Sequence, residues 1–326
     1  MMETGFRPAP WCRNPHLQTV VAGLLRRPPA VTLTVDTIEL ADGDFLDVSI
    51  STWPAGPEAP VALILAGING GPESPYVRGI VAAFAACGIR SAVMHYRGLA
   101  RPNRLPETFH SGRTEDIAAI VTYLAERFPD APRVAVGYSL GGNMLLKYLG
   151  ERGDNSALAA AAAVSVPFDL AACAEALRYG LRRGYQRYLL SGLKAMAHAK
   201  QANATLPLAD IDWSRLTTFA SFDDYVTAPL NGFDGAADYY ARVSCAPFLS
   251  AIQTPTLIAH ARDDPFMVPA VIPGQHALSS AIRLELTDHG GHVGFVGGRS
   301  PWRPSYWLEQ RIPKFMAQRL SCPSGR

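Results

Sequence analysis

Val134-Ala135-Val136-Gly137-Tyr138-Ser139-Leu140-Gly141-Gly142-Asn143 is the stretch from which the rest of the chain can be read. Val134 to Val136 is a short apolar run with β-branched residues, the pattern of a buried strand. Met144, Leu145, Tyr148 and Leu149 follow at helical spacing. Between the two lies Gly137-x-Ser139-x-Gly141. A serine on a sharp strand-to-helix turn tolerates nothing bulky two residues to either side, because strand and helix come close there. Its hydroxyl then points out above the sheet at a helix start, and the N–H of Leu140 can face an oxyanion. The spacing alone also occurs in ordinary glycine-rich turns. It gains weight here from the strand before it, the helix after it and the partners that come later in the chain.

Upstream, Phe6 to Pro29 is rich in Pro, Arg and aromatic residues and reads as an extended or partly helical arm. Val31–Leu40 and Phe45–Ile50 alternate apolar and polar residues around Asp42-Gly43, which predicts a hairpin. Val61–Ala66 is a continuous apolar run, hence a buried strand, and ends in Gly67-Ile68-Asn69-Gly70-Gly71 before a helix over Tyr76–Cys87. That loop has neither a dinucleotide nor a P-loop pattern. The other reading is a loop that supplies a second oxyanion N–H, from Ile68. Ile89–Tyr96 is the next strand, Arg97–Gly112 a long polar loop, and Thr114–Phe128 a helix with Ile117, Ile120, Val121 and Leu124 on one face.

Downstream, Leu158–Val166 is a strand closed by Pro167. From Phe168 to about Phe248 the pattern turns helical and aromatic, with Ala171–His198 interrupted by Gly180, Gly184 and Gly192. Its basic residues, Arg178, Arg182, Arg183, Arg187 and Lys194, read as a solvated face, with anion or membrane-surface binding as the other reading. Thr256–His260 and Ile282–Leu286 return to strands, and Tyr306–Leu320 closes the chain as a helix containing Pro313. The alternation predicts an α/β fold: a mostly parallel, doubly wound sheet with a leading antiparallel hairpin and a helical cap insertion. The expected organisation is a single domain over 1–326, with an arm over 1–30 and the cap over 168–248.

Composition bounds the function classes. The 326 residues are 48% hydrophobic and 18% charged, enough for a large core, and the formal net charge of +2 gives no bias toward nucleic acid. Cys12, Cys87, Cys173, Cys245 and Cys322 are scattered, odd in number and without a CxxC, so reduced thiols are expected. The first residues lack an apolar signal-peptide core, and the longest apolar run, Ala157–Val164, is too short to span a bilayer. A cytoplasmic protein without a stable membrane anchor is expected. The oligomeric state is left open.

A serine hydroxyl is a weak nucleophile that needs a base within hydrogen-bond reach and a third group to orient the base. In a doubly wound sheet these come from loops at the carboxyl ends of strands. Ser139, an acid after the Thr256–His260 strand and a histidine after the Ile282–Leu286 strand satisfy this in chain order. His292, between Gly291 and Val293, can reach Ser139, with His289 as the alternative. Counting from Pro255 through the strand to the Asp-Pro turn favours Asp264 over Asp263, which could instead cap the turn. Zinc binding by His289 and His292 would need further ligands that the sequence does not place, so no metal and no cofactor is expected. The remaining histidines read as ordinary surface or core residues.

Asn14-Pro15-His16-Leu17-Gln18-Thr19, Tyr96-Arg97-Gly98, His110-Ser111-Gly112, the Ser139 turn, Gly232-Phe233, Asp263-Asp264-Pro265-Phe266 and Gly290-Gly291-His292-Val293-Gly294-Phe295 together resemble the YheT-like family of α/β-hydrolases. The likeness runs from the arm to the last loop. It implies a serine esterase or lipase-like hydrolase acting on a small-molecule or lipid-like ester, with a triad on Ser139, Asp264 and His292. It departs from the family at Ala66-Gly67, where relatives usually carry His-Gly; a backbone donor needs no side chain and survives that change. An alcohol acyltransferase on the same residues and a non-catalytic binding module of the same fold are the rival expectations.

Overall fold

The structure, a computed structural model, describes residues 5–54, 56–202 and 211–321. The chain opens with a short helix, α1 (Pro15–Val20), which runs into a π-helical turn over Val21–Leu25. The hairpin follows as β1 (Leu33–Glu39) and β2 (Phe45–Ser51), paired antiparallel. Then come β3 (Val61–Leu65), α2 (Pro75–Ala86), β4 (Arg90–Met94), α3 (Thr114–Arg127), β5 (Arg133–Tyr138), α4 (Leu140–Arg152) and β6 (Ala160–Val164). A helical segment with α5 (Leu170–Ala176), α6 (Arg182–Ala202), α7 (Phe219–Phe222), α8 (Ala228–Leu230) and α9 (Ala236–Val243) separates β6 from β7 (Thr256–Ala261). The chain ends with β8 (Ile282–Thr287), a small hairpin of β9 (Val296–Ser300) and β10 (Arg303–Tyr306), and α10 (Trp307–Leu320).

Eight strands make one sheet in the order β1-β2-β4-β3-β5-β6-β7-β8. All neighbours from β4 to β8 pair parallel, and β2 runs antiparallel to both β1 and β4. This is the mostly parallel α/β-hydrolase sheet with its leading hairpin. Each central strand feeds both sides of the sheet, as a two-residue side-chain period requires. Val61, Leu63 and Leu65 join the core under α3 and α4, while Ala62 and Ile64 join the core under α2 and α10. The helices answer with one apolar face each: Ile117, Ile120 and Leu124 from α3, and Val77, Ile80 and Phe84 from α2.

The long loop after β4 is pinned by charge. Buried Arg97 donates to Asp116 of α3 at 2.7 Å and to Asp42 and Asp44 of the β1–β2 turn at 2.7 and 3.2 Å. A buried guanidinium needs such partners, since leaving it unpaired would cost several kcal/mol, about 3 or more.

One local expectation changes, and one element appears that the sequence did not suggest. Ala171–His198 is not one interrupted helix but two, α5 and α6, and only Gly180 lies in the break, at φ +58°. Gly184 and Gly192 are carried inside α6. The β9–β10 hairpin has no apolar alternation to announce it, because Gly297, Gly298, Arg303 and Pro304 dominate it. It is held instead by the arm, whose Ala9 N–H donates to the Val296 carbonyl at 3.0 Å. Cys12, Cys87, Cys173 and Cys245 are free thiols, and Cys322 lies outside the described residues, as does the 203–210 part of the helical segment. Among the described residues, no helix is long and apolar enough to cross a membrane.

Candidate active site

The sheet brings its loops together at the carboxyl end of β5. There Ser139 sits between β5 and α4 with φ +52° and ψ −120°, a conformation that costs a non-glycine residue on the order of 1–3 kcal/mol. Hydrogen bonds on both sides fix it: its N–H donates to Val164 O at 2.8 Å, and its carbonyl accepts from Asn143 N–H at 3.1 Å. The flanking glycines are required by contact. A Cβ on Gly137 would strike the Gly141 carbonyl, and one on Gly141 would lie 2.5 Å from the carbonyl oxygens of Leu65 and Ala66.

His292 comes from the loop after β8. Its Nε2 lies 2.9 Å from Ser139 Oγ, and its Nδ1 lies 2.9 and 3.1 Å from the two oxygens of Asp264, which follows β7. An ionised carboxylate only accepts, so the Nδ1 facing it carries the proton and Nε2 is left to accept from the serine hydroxyl. Asp264 is 3% and His292 8% exposed, so this polar chain is shielded from competing water. Phe266 stacks on the imidazole with ring centroids 3.9 Å apart, and its N–H donates to Asp264 Oδ1 at 2.8 Å. The same turn therefore orients the ring and its acid.

The alternative pair is also present, with other contacts. Asp263 accepts from Gly291 N–H at 2.9 Å and lies 3.2 Å from Nδ1 of half-exposed His289. Burial raises the pKa of Asp263. Asp263 thus braces the backbone of the histidine loop while Asp264 faces the ring. Among the described residues, no group of three or more His, Cys, Asp or Glu could hold a metal ion.

The loop after β3 stands across from Ser139. Tyr76 Oη accepts from Gly67 N–H at 2.9 Å, and Tyr96 Oη donates to the Ala66 carbonyl at 2.6 Å. Two tyrosines, one from α2 and one just after β4, therefore shape the loop at Ala66-Gly67. Ile68 and Leu140 line the same cavity as Ser139. That cavity measures about 250 Å³ and reaches from Leu24 of the arm to Asp223 and Tyr240 beneath the helical segment. Apolar side chains such as Leu177, Leu189, Leu193 and Phe222 make up most of its wall.

The arm does more than sequence reasoning gave it. Asn14 caps α1, accepting from His16 and Leu17 N–H at 2.9 and 3.2 Å. Fully buried Gln18 bonds both the N–H and the carbonyl of Val296, at 2.6 and 2.9 Å. Thr19 Oγ1 accepts from His292 N–H at 2.9 Å, and His16 Nδ1 lies 3.0 Å from Tyr185 Oη on α6. The arm thus clasps the histidine loop and touches the helical segment. Thr19 ends the Asn14–Thr19 motif, and nothing in the sequence marks its partner, which lies more than 270 residues away.

Residues 60–298 match a family model described as the alpha/beta hydrolase fold. The chain is 42% identical over 323 residues to "Putative esterase YheT" of Escherichia coli (strain K12), covering 98% of this chain and 95% of that one. It is 30% identical over 320 residues to "Phospholipase ABHD3" of Homo sapiens, covering 95% of this chain and 78% of that one. Among solved structures, the Pyrococcus furiosus esterase Pf2001 superposes with a TM-score of 0.57 at 16% identity, covering 90% of this chain and 97% of that one, a likeness of fold.

Proposed function

This chain belongs to the YheT-like family of α/β-hydrolases, and from that premise we propose that it is a serine-dependent hydrolase of carboxylic esters. The observation that carries the proposal is the 2.9 Å approach of His292 Nε2 to Ser139 Oγ, with Asp264 on the opposite ring nitrogen. Relatives named as an esterase and a phospholipase support the ester as substrate.

Ser139 Oγ attacks the ester carbonyl while His292 Nε2 takes its proton. The carbonyl oxygen becomes an oxyanion facing the N–H groups of Leu140 and Ile68, each worth on the order of 3 kcal/mol in the transition state. The tetrahedral intermediate collapses, the C–O bond to the alcohol breaks, and His292 returns the proton to the leaving oxygen. Water then enters by the same route in reverse roles, and the acid leaves with Ser139 restored. Asp264 keeps the imidazole in the tautomer that both half-reactions need. The helices between β6 and β7 act as a cap, and their apolar wall suits an alkyl or acyl chain.

The test is turnover of p-nitrophenyl esters of rising chain length by the parent and Ser139→Ala. The parent should hydrolyse at least one ester, and the variant should lose on the order of 10³-fold or more in kcat. Equal trace rates in both would overturn the proposal. Added alcohol reports whether the acyl group also passes to a hydroxyl other than water.

A further inference from the structure

The inner end of the cavity is unlike the rest of its wall. Leu24 and Tyr188, both lining residues, are 60% and 55% exposed, so the cavity opens between the arm and α6. Phe222, Asp223, Tyr239 and Tyr240, also lining, are at most 7% exposed and close it. In a chamber walled mostly by apolar side chains, this end holds a carboxyl group. Asp223 begins a π-helical turn, Asp223–Thr227, that follows α7. Such turns recur at functional sites because they redirect a side chain that an α-helix would place elsewhere.

Asp223 Oδ1 accepts from Thr227 Oγ1 and Oδ2 from Tyr240 Oη, each at 2.6 Å. Beside it, Tyr239 Oη accepts from Ser111 N–H and lies 3.0 Å from Ser111 Oγ. The carboxylate is held in place, yet each oxygen keeps a further acceptor position. Among the described residues, no Lys, Arg or His nitrogen lies within 4.0 Å of it. The charge that acts on it is that of Asp224, of like sign, and burial raises its pKa to about 6. A buried acid with no cation is a poor structural device, since pairing or replacing it would stabilise the fold. It is a good recognition device, because a ligand donor arriving there supplies the missing partner.

We propose that Asp223, oriented by Thr227 and Tyr240, forms a second subsite that binds a hydrogen-bond-donating end group, a hydroxyl or an ammonium, carried by the ester remote from its carbonyl. The proposal rests on Ser139 as the nucleophile for its kinetic consequence but not for binding. Specificity then comes from two features of one cavity: an apolar length that fixes chain length, and a terminal acceptor that rejects a plain methyl end. A site built to accept a donor penalises the analogue that lacks it, because the remaining acceptor positions of the buried carboxylate are then left unfilled.

The kinetic experiment compares p-nitrophenyl alkanoates with the same chains ending in a hydroxyl or an ammonium, over a series of lengths. In the parent, kcat/KM for the best donor-ended ester should exceed that of its methyl-ended match by about tenfold, the effect of one hydrogen bond to a charged acceptor. In Asp223→Asn that ratio should fall to about one, mainly through KM of the donor-ended ester. An unchanged ratio in the variant, or no preference in the parent at any length, overturns the subsite. A greater gain for the ammonium than for the hydroxyl assigns the recognition to charge.

Calorimetric titration of Ser139→Ala separates this from failure of the esterase reading. Alkyl amines and alkanols should bind about tenfold tighter than methyl ethers of the same length, which cannot donate a hydrogen bond, and the double variant Ser139→Ala/Asp223→Asn should lose the difference. Equal affinities overturn the subsite even if the parent is an active esterase. A difference that persists in a protein with no esterase turnover upholds the subsite and removes the nucleophile.

Discussion

The side-chain amide of Asn69 donates to the carbonyl of Leu189 at 2.9 Å, so the loop beside Ser139 is fastened directly to α6 of the cap. Gly192, one turn further along the helix, leaves the space that this amide fills: a Cβ there would collide with the Asn69 amide group. The glycine inside α6 is thus explained by a neighbour on another element and not by a break in the helix.

Gly192→Ala should therefore separate stability from activity. Alanine is favoured over glycine in a helix interior by about 1 kcal/mol, so the helix itself gains. The displaced Asn69 drags the Ile68 loop, and esterase turnover should fall on the order of tenfold, in kcat more than in KM. Asn69→Ala relieves the clash, and turnover in the double variant should match Asn69→Ala alone. Urea midpoints and steady-state rates check this. An active Gly192→Ala variant would show that the loop does not depend on the contact.

The adjacent acids should behave very differently. Asp264→Asn keeps the shape but reverses the hydrogen bond to His292, which favours the wrong tautomer, and kcat should fall on the order of 10³–10⁴-fold. Asp263→Asn keeps an acceptor for Gly291 N–H, so its loss should be about tenfold or less. The comparison is made on one ester with both variants folded by circular dichroism. Similar losses in the two would sink the assignment of Asp264 to the imidazole.

Much of this arrangement was legible in the sequence, for physical reasons that can be named. The sheet declared itself in continuous apolar runs, and the Ser139 turn in glycines that only a tight strand–helix crossing demands. Loop order then points to an acid after β7 and a histidine after β8, and the structure places His292 within hydrogen-bond reach of Ser139 through one ring nitrogen and of Asp264 through the other. Counting favours Asp264 but leaves Asp263 as the alternative, because which neighbour faces the ring depends on the turn, fixed by Phe266 N–H and Gly291 N–H. The arm and the β9–β10 hairpin were illegible as partners. Polar contacts such as Gln18 with Val296 leave no periodicity in either segment. The acid at the inner end of the cavity, Asp223, stands among aromatic residues whose sequence pattern reads equally as packing.

The arm's grip on the histidine loop gives a third expectation. Thr19→Val keeps the volume of the side chain but removes the hydroxyl that accepts from His292 N–H at 2.9 Å. The backbone of the loop then lacks one of its supports, alongside Val293 N–H on Ser165 Oγ at 3.0 Å. Stability should fall by about 1–2 kcal/mol, and kcat by about tenfold as the imidazole loses its register with Ser139. Thr19→Ser, which restores an acceptor, should recover most of the rate. Failure of serine to rescue would make the effect one of packing.

Stability against pH supplies a test of Asp223 that needs no substrate. Its carboxyl ionises at 3.8 in the unfolded reference and at about 6 in the fold, where burial opposes the charge. Between those values the folded state holds more protons, so this group lowers stability as pH rises through the window, and the penalty persists above it. His110 acts in the opposite sense: burial, with Arg113 nearby, lowers it from 6.5 to about 3, so its contribution falls as pH drops through that range. Asp224, Tyr239 and Tyr240 face Asp223, and both tyrosines have pKa values raised by burial, so neither adds charge near neutrality. Asp223→Asn removes the first effect and leaves the second. Urea midpoints from about pH 4 to 8 should show the variant gaining on the parent as pH rises, with the gap closing on the acid side. A gap that is constant with pH would mean that the carboxyl ionises at its ordinary value and is compensated within the fold, and the argument for a buried carboxyl without a cation at the inner end of the cavity would fall with it.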